Sequence, residues 1–195
     1  MSVTTNPRRV VVGISGASGA IYGIRLVETL STMAGVETHL VMSKGAEATI
    51  SYETDQAPED VAALAHVVYD ERNLAAAIAS GTFITSAMVV APCSIRTLSA
   101  IANSANDNLL VRAADVHLKE RRSLVLVVRE TPLHHGHLQL MTDVTLAGGI
   151  ILPPVPGFYV LPQSIDDIVN HTVGKILDAI GLHDHTLSSR WNGPE

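Results

Sequence analysis

The chain reads as an α/β protein with a parallel sheet covered by helices on both faces. Three observations carry this reading. Several short runs read as strands, "RRVVVGIS", "VETHLVMSK", "AMVVAPCS" and "SLVLVVRE", and all but the second have a continuously apolar centre, as in strands buried on both sides. Helical patterns lie between them, as in βαβ crossovers. Glycines and hydroxyls collect where the strands end: Ser15, Gly16 and Ser18 after the first, Ser43 after the second, Ser94 after the third. Ligands of such sheets bind at the carboxyl ends of the strands.

Each element has its own justification. "RRVVVGIS" is stopped by glycine and serine, and "AIYGIRLVETLSTM" then places Ile21, Ile24, Leu26, Val27 and Leu30 at helical spacing. "VETHLVMSK" is the second strand, and "GAEATISYET" a short helix or turn. Residues 53–86 carry the weakest pattern, a loop around "TDQAPED" and a small-residue stretch, "NLAAAIASGT". "AMVVAPCS" is the third strand, and "IRTLSAIANS" and "NLLVRAADVHLKE" are two helices parted at "AND". After the fourth strand, "SLVLVVRE", "HGHLQLMTDVTLAG" is a helix stopping at Gly148-Gly149. "GIILPPVPGFYVLPQS" is a strand and a proline-rich loop. The last helix, "SIDDIVNHTVGKILDAIGL", has Ser164 as N-cap and Asp166 and Asp167 in its first turn.

Composition narrows the function. With 195 residues, 47% hydrophobic and 16% charged, the chain suits one domain over 1–195, with 1–8 and 192–195 as flexible tails. Lys and Arg number 13 against 19 Asp and Glu, with no dense basic block, which argues against nucleic acid as the main partner. No apolar signal core or membrane-length run is present, and a lone cysteine suits a reducing compartment. A cytoplasmic protein acting away from membranes is expected.

"VVGISGASGA" looks like a phosphate cradle but fits none of three familiar loops. A dinucleotide fingerprint needs G-x-G-x-x-G and an acid after the second strand; here Gly13, Gly16 and Gly19 are spaced by three, and Ser43-Lys44 follows that strand. No lysine follows the glycines as in a P-loop, and Ala17 stands where a nucleophile elbow needs glycine. What remains is a small-residue loop with hydroxyls at a helix N-terminus, able to take an anion or a flat ring, or simply a tight turn. Cys93 reads as a buried small hydrophobe rather than a nucleophile. Ser94 and Thr97 are candidate ligand contacts, with Arg96 between them. Arg121 and Arg122 suit a solvated helix end, whereas Arg129 and Glu130 end an apolar strand at the ligand edge, as phosphate binding and proton delivery would require. His134, His135 and His137 read as polar helix-start residues, because no cysteine pair or carboxylate completes a metal set nearby.

The segments "GISGASGAIYG", "SKGAEATISYETD", "ASGT", "PCSIRTLSAIA", "RAADVHLKERRSLVLVVRETPLHHGHLQLM" and "PPVPGFYVLPQSIDDIV" together closely resemble the UbiX-type flavin prenyltransferases, from about Arg9 to about Trp191. The resemblance implies a Rossmann-like, flavodoxin-like three-layer sandwich, assembled as a homododecamer with sites where subunits meet. It implies transfer of a dimethylallyl group from dimethylallyl phosphate to reduced FMN without a metal, making a prenylated cofactor for a UbiD-type decarboxylase, often in ubiquinone synthesis. By the same resemblance Gly16, Ala17, Ser18, Ser43, Ser94, Ile95, Arg96, Thr97 and Arg129 bind FMN. Lys119, Arg129, Glu130, Tyr159 and Lys175 meet the prenyl phosphate, with Arg112 reaching it from a neighbouring subunit. Ser18, Glu53 and Glu130 act in proton handling, and Trp191 closes over the allyl group.

Three positions depart from the pattern. Lys175 stands where several relatives carry Arg, keeping the charge without the two-pronged fork. Leu74 replaces an aromatic near the prenyl pocket of some relatives, and Gly157 is a minor variation before Phe158. Two other readings are a flavin-dependent cysteine decarboxylase, whose "PASANT"-type segment is matched only by "NSANDN", and a non-catalytic FMN-binding subunit.

Overall fold

The computed structural model describes residues 7–187. Its sheet has six strands: β1 (Arg8–Ile14), β2 (Val36–Met42), β3 (Val67–Tyr69), β4 (Ala87–Cys93), β5 (Ser123–Val128) and β6 (Ile150–Ile151). They lie in the order β3-β2-β1-β4-β5-β6, and every pairing is parallel. The helices are α1 (Ala20–Thr32), α2 (Lys44–Glu53), α3 (Pro58–Ala63), α4 (Ile95–Ala102), α5 (Leu109–Lys119), α6 (His135–Leu146) and α7 (Ile165–Ala179). This is the expected three-layer sandwich, with the strand order of doubly wound dinucleotide folds.

Period-two alternation divides the core. Val10, Val12 and Ile14 point to one face, under α1, α2, α3 and α7, while Val11, Val41, Met88 and Val90 face α4, α5 and α6. Because the strand order reverses between β1 and β4, the loops leaving these strands depart to opposite faces and open a crevice at their carboxyl ends.

The structure corrects the reading in four places. A sixth strand, β3, lies within the weakly patterned 53–86 stretch; it is a three-residue edge strand pairing His39–Val41 with Val67–Tyr69, too short and exposed to leave an apolar run. The supposed loop at "TDQAPED" turns into α3, with Pro58 opening the helix and Asp60 accepting from the Ala57 N–H. Arg8 is no tail residue: it begins β1, and its guanidinium donates to the Ile180 and Gly181 carbonyls beyond α7. Arg122 is not a solvated helix end, since it donates to the Gly81 and Phe83 carbonyls and holds the connection into β4. No helix among the described residues is long and apolar enough to cross a membrane.

Candidate active site at the carboxyl edge of the sheet

The site begins with the loop after β1. Ser15 turns inward: its hydroxyl donates to the Pro92 carbonyl at 2.8 Å and accepts from the Ser94 N–H at 2.8 Å, tying the end of β1 to the end of β4. Its one hydroxyl proton is committed to the fold, which leaves a single lone pair to meet a ligand. Gly16 follows, and a Cβ there would stand 2.9 Å from the Gly45 Cα. Two backbones meet at this point, a reason for glycine that lies in the protein itself. Gly19 has φ +97°, which glycine adopts without steric cost, and it starts α1.

The N-terminus of α1 is capped from a distance. A Glu53 carboxylate oxygen, at the end of α2, accepts from the Gly19 N–H at 2.7 Å and the Ala20 N–H at 3.1 Å. Burial tends to raise the Glu53 pKa, but hydrogen bonds from Ser18, Gly19 and Ala20 and the Arg129 charge outweigh it, so the carboxyl lies below its ordinary value. Arg129 also acts on Tyr22, whose phenol is raised by burial against the opposing effects of a Thr172 hydrogen bond and the Arg129 charge. Ser18, Glu53 and Tyr22 thus gather around the start of α1, with the Arg129 charge near enough to act on both the carboxyl and the phenol.

Beside it opens a cleft of about 440 Å³, lined in part by Gly16, Ser43, Ser94, Arg96, Thr97 and Asn108. Three helices begin on it. Ser43 caps α2 by accepting from Ala46, Ser94 caps α4 by accepting from Thr97, and Asn108 caps α5 by accepting from Val111. Their positive ends and Arg96 offer donors to a phosphate, while Lys44 and Arg72 on the rim are paired with Glu47 and Asp70, and Glu71 and Asp107 also line the cleft. The adjoining Gly16–Ser18 backbone is small and exposed enough for a flat ring. A flavin mononucleotide, with a ring at one end and a phosphate at the other, fits this pairing of surfaces.

Residues 1–178 match the family model of the flavoproteins. A flavin prenyltransferase, UbiX, of Thauera aromatica is 58% identical over 187 residues, covering 96% of this chain and 95% of its own. The chain belongs to the flavin prenyltransferases. Among solved structures of the family, that of AnUbiX (PadA1) in complex with FMN and dimethylallyl pyrophosphate superimposes with a TM-score of 0.92 at 50% identity, covering 97% of this chain and all of that one (100%). A dodecameric FMN-dependent UbiX-like decarboxylase from Escherichia coli O157:H7 gives a TM-score of 0.92 at 48% identity, covering 95% of this chain and 100% of its own.

Within this flavin prenyltransferase chain, the structure separates some residues expected to act together. Arg129 and Glu130 follow the carboxyl end of β5 and are exposed; Glu130 accepts from the Thr131 N–H at 3.0 Å. Lys119 ends α5 just before β5 begins, so it lies at the amino edge, about 20 Å away along the strand. There it pairs with Glu120 and lines a separate cleft with Asp115 and Arg121. Arg112 is on the face opposite the Glu53 cluster, donating to the Ala79 carbonyl at 3.1 Å and to Asp115 at 3.0 Å. One chain thus does not bring Lys119 or Arg112 to Arg129.

The remaining candidates divide more simply. Ile95 is half-buried, its side chain packed against the core between the sheet and α4, α5 and α6. Lys175 is exposed on α7, one turn beyond His171, which contacts Tyr159. Trp191 lies outside the described residues. Cys93 is fully buried and its thiol is pushed up by burial, as expected of a core residue. His134 caps α6 by accepting from the Gly136 N–H, in keeping with a helix-start role. Among the described residues no group of three or more His, Cys, Asp or Glu is placed to hold a metal. Sequence reasoning missed Tyr22, Thr172 and His171. Tyr22 sits within an apolar helical stripe that reads as core, and a buried histidine in the otherwise apolar face of α7 was the available signal for the other two.

Proposed function

We propose that this protein transfers the dimethylallyl group of dimethylallyl phosphate to reduced FMN, making a prenylated flavin for a UbiD-type decarboxylase. The observation that carries the reading is the Ser18–Glu53–Arg129 cluster standing beside the three-helix phosphate cleft. Reduced FMN, when bound, supplies nucleophilic N5 and C6 positions for the two new bonds. Gly16, Ala17 and Ser18 give the ring its backbone surface, while Ser43 and Ser94 through Thr97 hold its phosphate end.

Allylic C–O cleavage without a metal needs positive charge on the departing phosphate and a proton for it. Arg129, Tyr159 and Lys175 supply contacts from one chain, and Glu130 supplies the proton. Lys119 and Arg112, remote in one chain, serve the site of an adjacent copy, which makes a homo-oligomer, a dodecamer as in the E. coli relative, part of the reading. Glu53 stays ionised through neutral pH and orients the Ser18 hydroxyl toward the proton leaving the ring. Trp191 shields the allyl group. The lone cysteine, buried and free, supports a cytoplasmic setting.

Anaerobic incubation with reduced FMN and dimethylallyl monophosphate, followed by mass spectrometry of the bound flavin, tests this. A gain of one isoprene unit is expected; an unchanged flavin mass with FMN bound overturns it.

A further inference from the structure

The proline-rich loop after β6 meets α7 at His171, which is 8% exposed. Its Nε2 lies 3.0 Å from the Tyr159 hydroxyl, and the two rings meet edge to face at 81° with centroids 5.6 Å apart. Gly157 passes over the same imidazole: a Cβ there would come within 2.7 Å of its Cε1. The glycine before Phe158 is therefore part of how Tyr159 is placed. On the next residue of α7, the Thr172 side chain bonds the Tyr22 phenol, on which the Arg129 charge also acts.

We propose that His171 is a positioning residue for Tyr159, donating its Nε2–H to the phenol oxygen so that the phenol's own proton points at a substrate phosphate oxygen. A tyrosine hydroxyl has one proton and two acceptor lone pairs. Were Nε2 unprotonated, it would take that proton, and Tyr159 would meet the phosphate with lone pairs alone. An anionic oxygen is the stronger acceptor, and bonds to it are about twice as strong as neutral ones, so bound phosphate selects the donating tautomer. The loop's close seat on the ring keeps the phenol in that geometry. This inference rests on the reading that Tyr159 contacts the prenyl phosphate.

The test is a double-mutant cycle on the FMN-loaded full-length protein with His171→Phe, His171→Gln, Tyr159→Phe and the double variant. His171→Phe is expected to raise KM for dimethylallyl monophosphate about five- to tenfold, the worth of one hydrogen bond, with kcat within about twofold and FMN content unchanged. His171→Gln, whose amide N–H still reaches the phenol, stays within about twofold of the parent. On the Tyr159→Phe background His171→Phe adds nothing, which a merely structural role would not produce. Calorimetric titration of dimethylallyl monophosphate into the oxidised FMN form, where no transfer occurs, reads the same ratios. An equal effect of His171→Phe on both backgrounds, or no rescue by glutamine, overturns the proposal. A parental KM in Tyr159→Phe overturns it together with the Tyr159 assignment, whereas failure of transfer in the parent strikes the broader reading; the calorimetric cycle still separates the two. Should His171→Phe fold poorly, His171→Met takes its place in the cycle.

Discussion

Single side chains at the carboxyl edge hold loops as well as ligands, and Glu53 illustrates both roles. Its carboxylate caps a helix that starts 33 residues earlier in the chain. Removing it in Glu53→Ala should cost roughly 1 kcal/mol in urea unfolding, as for loss of an N-cap. Its lowered pKa gives a sign: the stabilisation is complete above the ordinary value of 4.5 and fades as pH falls through the lower folded value. The acid limb of the stability curve should therefore be shallower in Glu53→Ala than in the parent. Gly16→Ala tests the meeting of backbones. The added methyl is aimed at the Gly45 Cα, so the two loops have to part, destabilising by about 1–3 kcal/mol. Loss of FMN on gel filtration is expected to accompany it. Neither effect is visible in the motif, where Gly16 reads only as room for a ring.

Among the elements, α5 and the connection into β4 are joined by a buried polar chain. The His117 ring is within 2.7 Å of the Ala113 carbonyl and 2.9 Å of the Thr85 hydroxyl. Burial, with the neighbouring Arg122 charge, lowers its pKa from 6.5 to about 4. A histidine held neutral in the fold binds fewer protons there than in the unfolded chain between those values. Stability therefore falls as pH drops from 6.5 toward 4, by up to about 3 kcal/mol for this group. Urea unfolding across that range should show the slope, and His117→Gln should flatten it. The helices themselves were legible because capping and periodicity are local: Ser164, with Asp167 accepting from its N–H, starts α7 as read. β3 was not legible, since a three-residue edge strand has no periodicity to show.

At the scale of the whole molecule, helix direction decides which residues share a site. A crossover helix runs antiparallel to its strands, so Lys119 at the end of α5 faces away from Arg129 at the end of β5. If adjacent copies complete each site, two defective chains can repair one another. Lys119→Ala and Glu130→Gln should each be nearly inactive, while co-assembly in equal amounts restores about a quarter of parental prenyl transfer, because independent draws leave that share of sites intact. No restoration in mixed assemblies would place both residues in the site of one chain by some other route.

The sequence by itself determined the alternation of strands and helices, the edge at which ligands gather, and the family, because burial periodicity, capping and a long specific motif are written residue by residue. Only the tertiary structure decided that Ser15 turns inward, that Gly16 meets Gly45 backbone to backbone, that Glu53 caps α1, and that His171 meets Tyr159. These pairs lie 12 to 79 residues apart. Their meeting depends on strand order and helix direction, which no local pattern encodes.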